Sequence, residues 1–181
     1  MFQGCVTSTA EIPPSYTSTK STNILVEHNK RNGTITYQTR YNLTNVLHLG
    51  YSEAKLYAIE TDNLLQIRLK LEERSLNYNK YNTVNIANRL GYDDNRNIIK
   101  SNGLNLTVYS EDISSTYGEV QVVMIDIPLS INEIQKLKKI LELDNAVIIT
   151  ITDNGQIPTS NTLDAGEKKA MLEMIRFVES K

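Results

Sequence analysis

The sequence predicts an α+β domain, a mainly antiparallel sheet of about seven strands with two helices in its C-terminal half. Three observations carry this reading. Leu65, Ile67, Leu69 and Leu71 alternate with Gln66, Arg68, Lys70 and Glu72, a period of two that puts four aliphatic side chains on one face of a strand. Strand-like runs of this kind dominate the chain as far as Pro128. Beyond it, two stretches change to the three-and-four apolar spacing of a helix, each behind a capping residue.

Taken in order, residues 1–22 are rich in Ser and Thr, hold the Pro13-Pro14 pair and carry few large apolar groups. Such a segment buries too little surface to offset its ordering entropy, so it reads as a flexible leader to a single domain over residues 23–181. Residues 23–28 form a strand, and residues 34–41 alternate Ile35, Tyr37, Thr39 and Tyr41 against Thr36, Gln38 and Arg40. Asn32-Gly33 between them tolerates positive φ and suits a hairpin. The strand at residues 65–72 pairs with residues 53–60 through Thr61-Asp62-Asn63, although Ala54, Leu56 and Tyr57 fit a helical turn equally well. Residues 74–103 are crowded with Asn, Tyr, Asp and Arg. Within them Val84, Ala87 and Leu90 recur every three residues ahead of Gly91, which predicts a short middle helix over residues 83–90. The rest is loop, with edge-strand material around residues 97–100.

Residues 104–109 and 119–127 are strands, the second nearly continuous in apolar character and therefore interior to its sheet. Ser130 and Glu133 make a capping box with Leu129 and Ile134 as a hydrophobic staple, so a helix runs over residues 131–141. Its inner face is Ile134, Leu137, Ile140 and Leu141, with Lys136, Lys138 and Lys139 in water. Residues 146–152 are a buried strand turned by Asp153-Asn154-Gly155. After a polar loop, Asp164 caps a last helix whose inner face is Met171, Met174, Ile175 and Val178.

With no Trp, two Phe and ten Tyr, the core rests on Leu, Ile and Val. A net charge of −2 supplies no positive field for phosphates, so no nucleic-acid partner is expected. His28 and His48 belong to no helical metal-binding pattern. Asp93, Asn95 and Asn97 occupy the first, third and fifth places of a calcium loop, but Ile98 and Leu104 stand where the turn glycine and the bidentate glutamate would be needed. Glu72-Glu73 are strand neighbours and point to opposite faces. The residues therefore predict no catalytic, metal or cofactor site. Tyr78, Tyr81, Arg89 and Tyr92 are the candidate protein-contact patch, because Tyr and Arg give rigid contact area and directional hydrogen bonds.

The lone cysteine, Cys5, follows Gly4 and precedes the Ser/Thr-rich leader. A small residue, a cysteine, a polar tether and then a folded domain resembles the start of a mature bacterial lipoprotein. The resemblance covers Gly4-Cys5 and the leader only. It implies lipid attachment at Cys5, membrane association through that anchor alone, and a place in the bacterial envelope facing the periplasm. The expected function is a non-enzymatic binding or assembly module that engages another protein. The alternatives are a cytoplasmic accessory or immunity-type protein with a disordered tail, and an enzyme of unfamiliar type.

Overall fold

The computed structural model describes residues 15–18, 23–40, 52–75, 82–88, 98–100, 105–114, 118–143, 146–152 and 159–181. Among the described residues eleven strands fall into two antiparallel sheets, where a mainly antiparallel sheet of about seven strands was expected. The α+β class holds, with both helices in the C-terminal half.

The leader is not a tether throughout. Its residues Ser15–Ser18 form β1, the edge strand of the larger sheet, paired with β2 (Ile24–Asn29). Main-chain pairing at an edge needs no buried side chain, so a polar segment can supply it. β2 turns through Gly33, at φ +69°, into β3 (Thr34–Thr39). Asn32 assists: its Oδ1 accepts from the Thr34 N–H at 3.2 Å.

β4 (Ser52–Thr61) and β5 (Leu64–Ser75) pair along their length, and the two-residue turn puts Asp62 and Asn63 at φ 51° and 62°. Both Asn and Asp tolerate that left-handed conformation, the one a type I′ hairpin requires. Ala54, Leu56 and Ala58 are buried at every second position, which settles the helix-or-strand ambiguity of this segment in favour of strand.

The middle helix expected over residues 83–90 is corrected where the structure describes it: β6, Thr83–Asn88, is a strand. Val84 and Ile86 are buried on one face, and the β-branched Thr83, Val84 and Ile86 favour the extended form over the helical spacing of Val84, Ala87 and Leu90. The tertiary structure decides it by supplying partners on both sides. β7 (Ile98–Lys100) lies on one flank of β6 and β10 (Val147–Thr152) on the other. β11 (Thr159–Thr162), within what reads in sequence as a polar loop, completes this second sheet in the order β11-β10-β6-β7.

β8 (Asn105–Ser114) and β9 (Gly118–Pro128) close the larger sheet, ordered β1-β2-β3-β4-β5-β9-β8. β9 is interior, as its apolar run predicts, and Val122 and Val123, on opposite faces, are both buried. Pro128 ends it, and the Ser130–Glu133 capping box opens α1 (Ile131–Glu142). Asp164 caps α2 (Ala165–Glu179) with a box of its own, completed by Glu167. Contacts place α2 on β3, β4 and β5, and α1 against α2, β6 and β7. The buried side chains of both sheets and both helices form one continuous cluster. Leu137, Ile140 and Leu141 of α1 and Met171, Met174 and Ile175 of α2 enter it as their spacing predicts. Among the described residues no helix is long and apolar enough to cross a membrane.

Candidate functional site

The residues singled out in sequence, Cys5, Tyr78, Tyr81, Arg89 and Tyr92, lie outside the described residues, as do His48 and the Asp93–Asn95–Asn97 loop. Among the described residues no group of three His, Cys, Asp or Glu is placed to hold a metal ion. The structure points elsewhere, to the tip of the β4–β5 hairpin.

That hairpin overhangs its neighbour. β5 pairs with β9 only from Arg68 to Ser75, because beyond Pro128 the chain turns away into α1. Leu64 to Ile67 are thus paired with β4 on one side and face a groove of about 650 Å³ on the other. The far wall is the first turn of α1, through Ile131 and Ile134, and the end of α2, through Val178 and Lys181. On this groove sit the two exposed large hydrophobic side chains of the described structure, Leu64 at 77% and Ile131 at 75% exposure.

Main-chain chemistry adds a second feature. In an antiparallel ladder, alternate residues direct both N–H and C=O to the same neighbour. The Leu129 N–H donates to the Ile67 C=O at 3.0 Å, so Ile67 points away from β4. Leu65, two residues earlier, shares that orientation and presents its N–H and C=O to the groove. Among the described residues neither group has a main-chain partner.

A polar cluster braces the α2 side of the groove. The Tyr37 hydroxyl donates to Glu60 Oε2 at 2.5 Å, and Lys181 Nζ donates to the Tyr37 oxygen at 2.5 Å and to Glu60 Oε2 at 3.0 Å. The ammonium also lies 4.3 Å from the centre of the Tyr37 ring, which packs tilted on Phe177 at 5.1 Å between centroids. Hydrogen bonds from Tyr37 and then Lys181 hold the Glu60 carboxyl below the usual carboxylate range. Burial, then the bond to Glu60, push the Tyr37 phenol up, and the bond to Tyr37 raises Lys181. Each polar group here is bonded to another of the same chain, an arrangement that fixes one wall of the groove.

The opposite face of the larger sheet carries a separate network. Arg68 Nε donates to both oxygens of Asp126 at 3.0 and 3.2 Å, and its Nη1 donates to Gln66 Oε1 at 2.8 Å. Burial, and then a hydrogen bond to Asp126, push the Tyr57 phenol up to about 12. This network ties β4, β5 and β9 together across the sheet.

The groove escaped the sequence reading, although a signal was there. In a strand of period two, the doubled Leu64-Leu65 must send one side chain away from the core, and Ile131 stands ahead of the apolar positions assigned to the core face of α1. No protein-family model, no curated protein and no solved structure matches this chain.

Proposed function

We propose that this chain is a non-enzymatic protein-binding module and that the groove at the β4–β5 tip receives its partner. The observation that carries the reading is the pairing of Leu64 and Ile131, at 77% and 75% exposure, on one groove. Single exposed hydrophobic residues are ordinary, whereas two large aliphatics on one concavity mark a contact surface. The Tyr37–Glu60–Lys181 cluster supports the reading by giving the groove a fixed polar rim. The lipoprotein-like leader supports a tether at Cys5 to a bacterial envelope membrane.

A photo-crosslinking residue in place of Leu64, in the host cell, tests the reading. It is expected to trap a discrete protein adduct that Ile131→Asp abolishes, while the same probe in place of Lys70, on the same sheet face but away from the hairpin tip, traps none. Failure to obtain an adduct dependent on Ile131 removes the reading. The tether is tested separately by metabolic labelling with a fatty-acid analogue, expected on the native protein and lost in Cys5→Ser.

A further inference from the structure

We infer that the groove binds its partner by strand addition: a short extended segment of another protein pairs with the free edge of β5 at Leu64 to Gln66, in line with β9. The inference rests on the protein-binding reading above and names the partner's chemistry.

The argument begins from the backbone. β9 and then Leu129, whose N–H bonds the Ile67 C=O, occupy the edge of β5 as far as Ile67, so among the described residues no strand lies beside Leu64 to Gln66 at the hairpin tip. Leu65 directs an N–H and a C=O outward from that edge, the donor and acceptor an extended chain needs to form one closely spaced pair. Exposed strand edges are templates for such pairing unless they are covered or charged. This one carries Leu64, Leu65 and Gln66, with no Pro, Lys or bulge to blunt it.

The side chains say what the segment contains. A residue paired opposite Leu65 projects onto the same face as Leu65, which packs against the core with Ile134 and Val178 beside it. That position takes a large aliphatic side chain, closed in on one side by the Lys181–Glu60 pair. Its sequence neighbours project to the other face, where Leu64 is exposed.

The size of the feature selects the occupant. Three residues of strand span about 10 Å, and two exposed aliphatics expose only a few hundred Å² of apolar surface. A stable dimer needs about 800 Å² from each partner. The edge therefore suits a linear segment and is too small to hold a second copy of this chain.

The test uses the full chain and a displayed library of random twelve-residue peptides, from which binders are selected and synthesised. Amide exchange at Leu65 is followed by NMR, with Gln66, whose N–H faces β4, as the internal control. A selected peptide is expected to slow Leu65 exchange about tenfold or more while leaving Gln66 unchanged. N-methylation of the peptide at the residue opposite Leu65 should abolish binding, and methylation of either neighbour should be tolerated. Leu64→Asp and Ile131→Asp should each weaken it at least about tenfold, with circular dichroism confirming that both variants fold.

Three results overturn the inference. Peptides that require Leu64 and Ile131 but leave Leu65 exchanging as in the free chain show docking by side chains alone; strand addition then fails and the protein-binding reading stands. Leu65 protection that appears without peptide, as protein concentration rises, gives the edge to a second copy. A selection yielding no peptide dependent on Leu64 or Ile131 removes both the strand-addition inference and the reading beneath it.

Discussion

Replacing Tyr37 by Phe isolates the cluster that braces the groove. The ring stays, and with it the 5.1 Å contact to Phe177 and the approach of the Lys181 ammonium at 4.3 Å. What disappears is one hydroxyl, together with the bond it gives to Glu60 and the bond it receives from Lys181, both at 2.5 Å. A hydrogen bond to a charged group contributes about 1.5–3 kcal/mol when shielded from water. Here the Glu60 and Lys181 side chains keep 23% and 37% of their exposure and remain paired at 3.0 Å, so solvent and the surviving ion pair recover part of the loss. The expected cost is about 1–2 kcal/mol, a fall in Tm of about 3–6 °C for a chain of this size.

The pH dependence supplies the sign. Glu60 is held below its ordinary range in the folded state, so its contribution is present above the unfolded carboxylate value and is lost as pH falls through the folded one. The gap between the native chain and Tyr37→Phe, read from urea midpoints, should therefore be constant near neutrality and narrow on acidification. A Tyr37→Phe variant as stable as the native chain at pH 7, or a gap that does not change with acid, would refute the account of this cluster.

Three further outcomes follow from the same structure. Tyr57, pushed up to about 12, should ionise after the ordinary phenols in an absorbance titration at 295 nm, and Tyr57→Phe should remove that late component. Its raised value favours the neutral phenol in the fold, so the stability it contributes is full below about pH 10 and lost as pH rises through about 12. Glu167 is buried at 4% exposure, and that burial raises its pKa although the Asp164 and Ala54 N–H groups donate to it at 2.9 and 3.4 Å. Between its unfolded and folded values the native state holds the extra proton, so stability falls as pH rises through that window, and Glu167→Gln should flatten the slope in urea midpoints. Met174, with no exposure in the core, should cost about 2–5 kcal/mol on replacement by Ala in the same measurement.

Much of the fold was legible in the sequence because its signals are local. The alternation of Leu65 to Leu71 depends only on the two-residue pleat, and the boxes at Ser130 and Asp164 depend only on main-chain donors within one turn. The inner faces of both helices follow from spacing in the same way. What misled was a segment whose two periods compete: Val84, Ala87 and Leu90 suit a helix, and Val84 with Ile86 suits a strand. Only β10 and β7, both outside the segment itself, make the strand the lower state by pairing its backbone on both edges. β1 and β11 were missed for a related reason: edge strands are stabilised by main-chain bonds to a partner, and those leave little trace in their own side chains.

The candidate site was decided by the tertiary structure, with the doubled Leu64-Leu65 as its one trace in the sequence. Composition and period determined that this chain builds an α+β core of Leu, Ile and Val behind capped helices. The exposure of Leu64 and Ile131 and the open Leu65 edge arise because β9 stops at Pro128, four residues short of the hairpin tip, and because α1 begins and α2 ends beside the gap. A sequence records which residues are apolar. Whether an apolar residue ends in a core or on a rim depends on which other element reaches it, and that is settled by relative strand length and helix placement across distant parts of the chain.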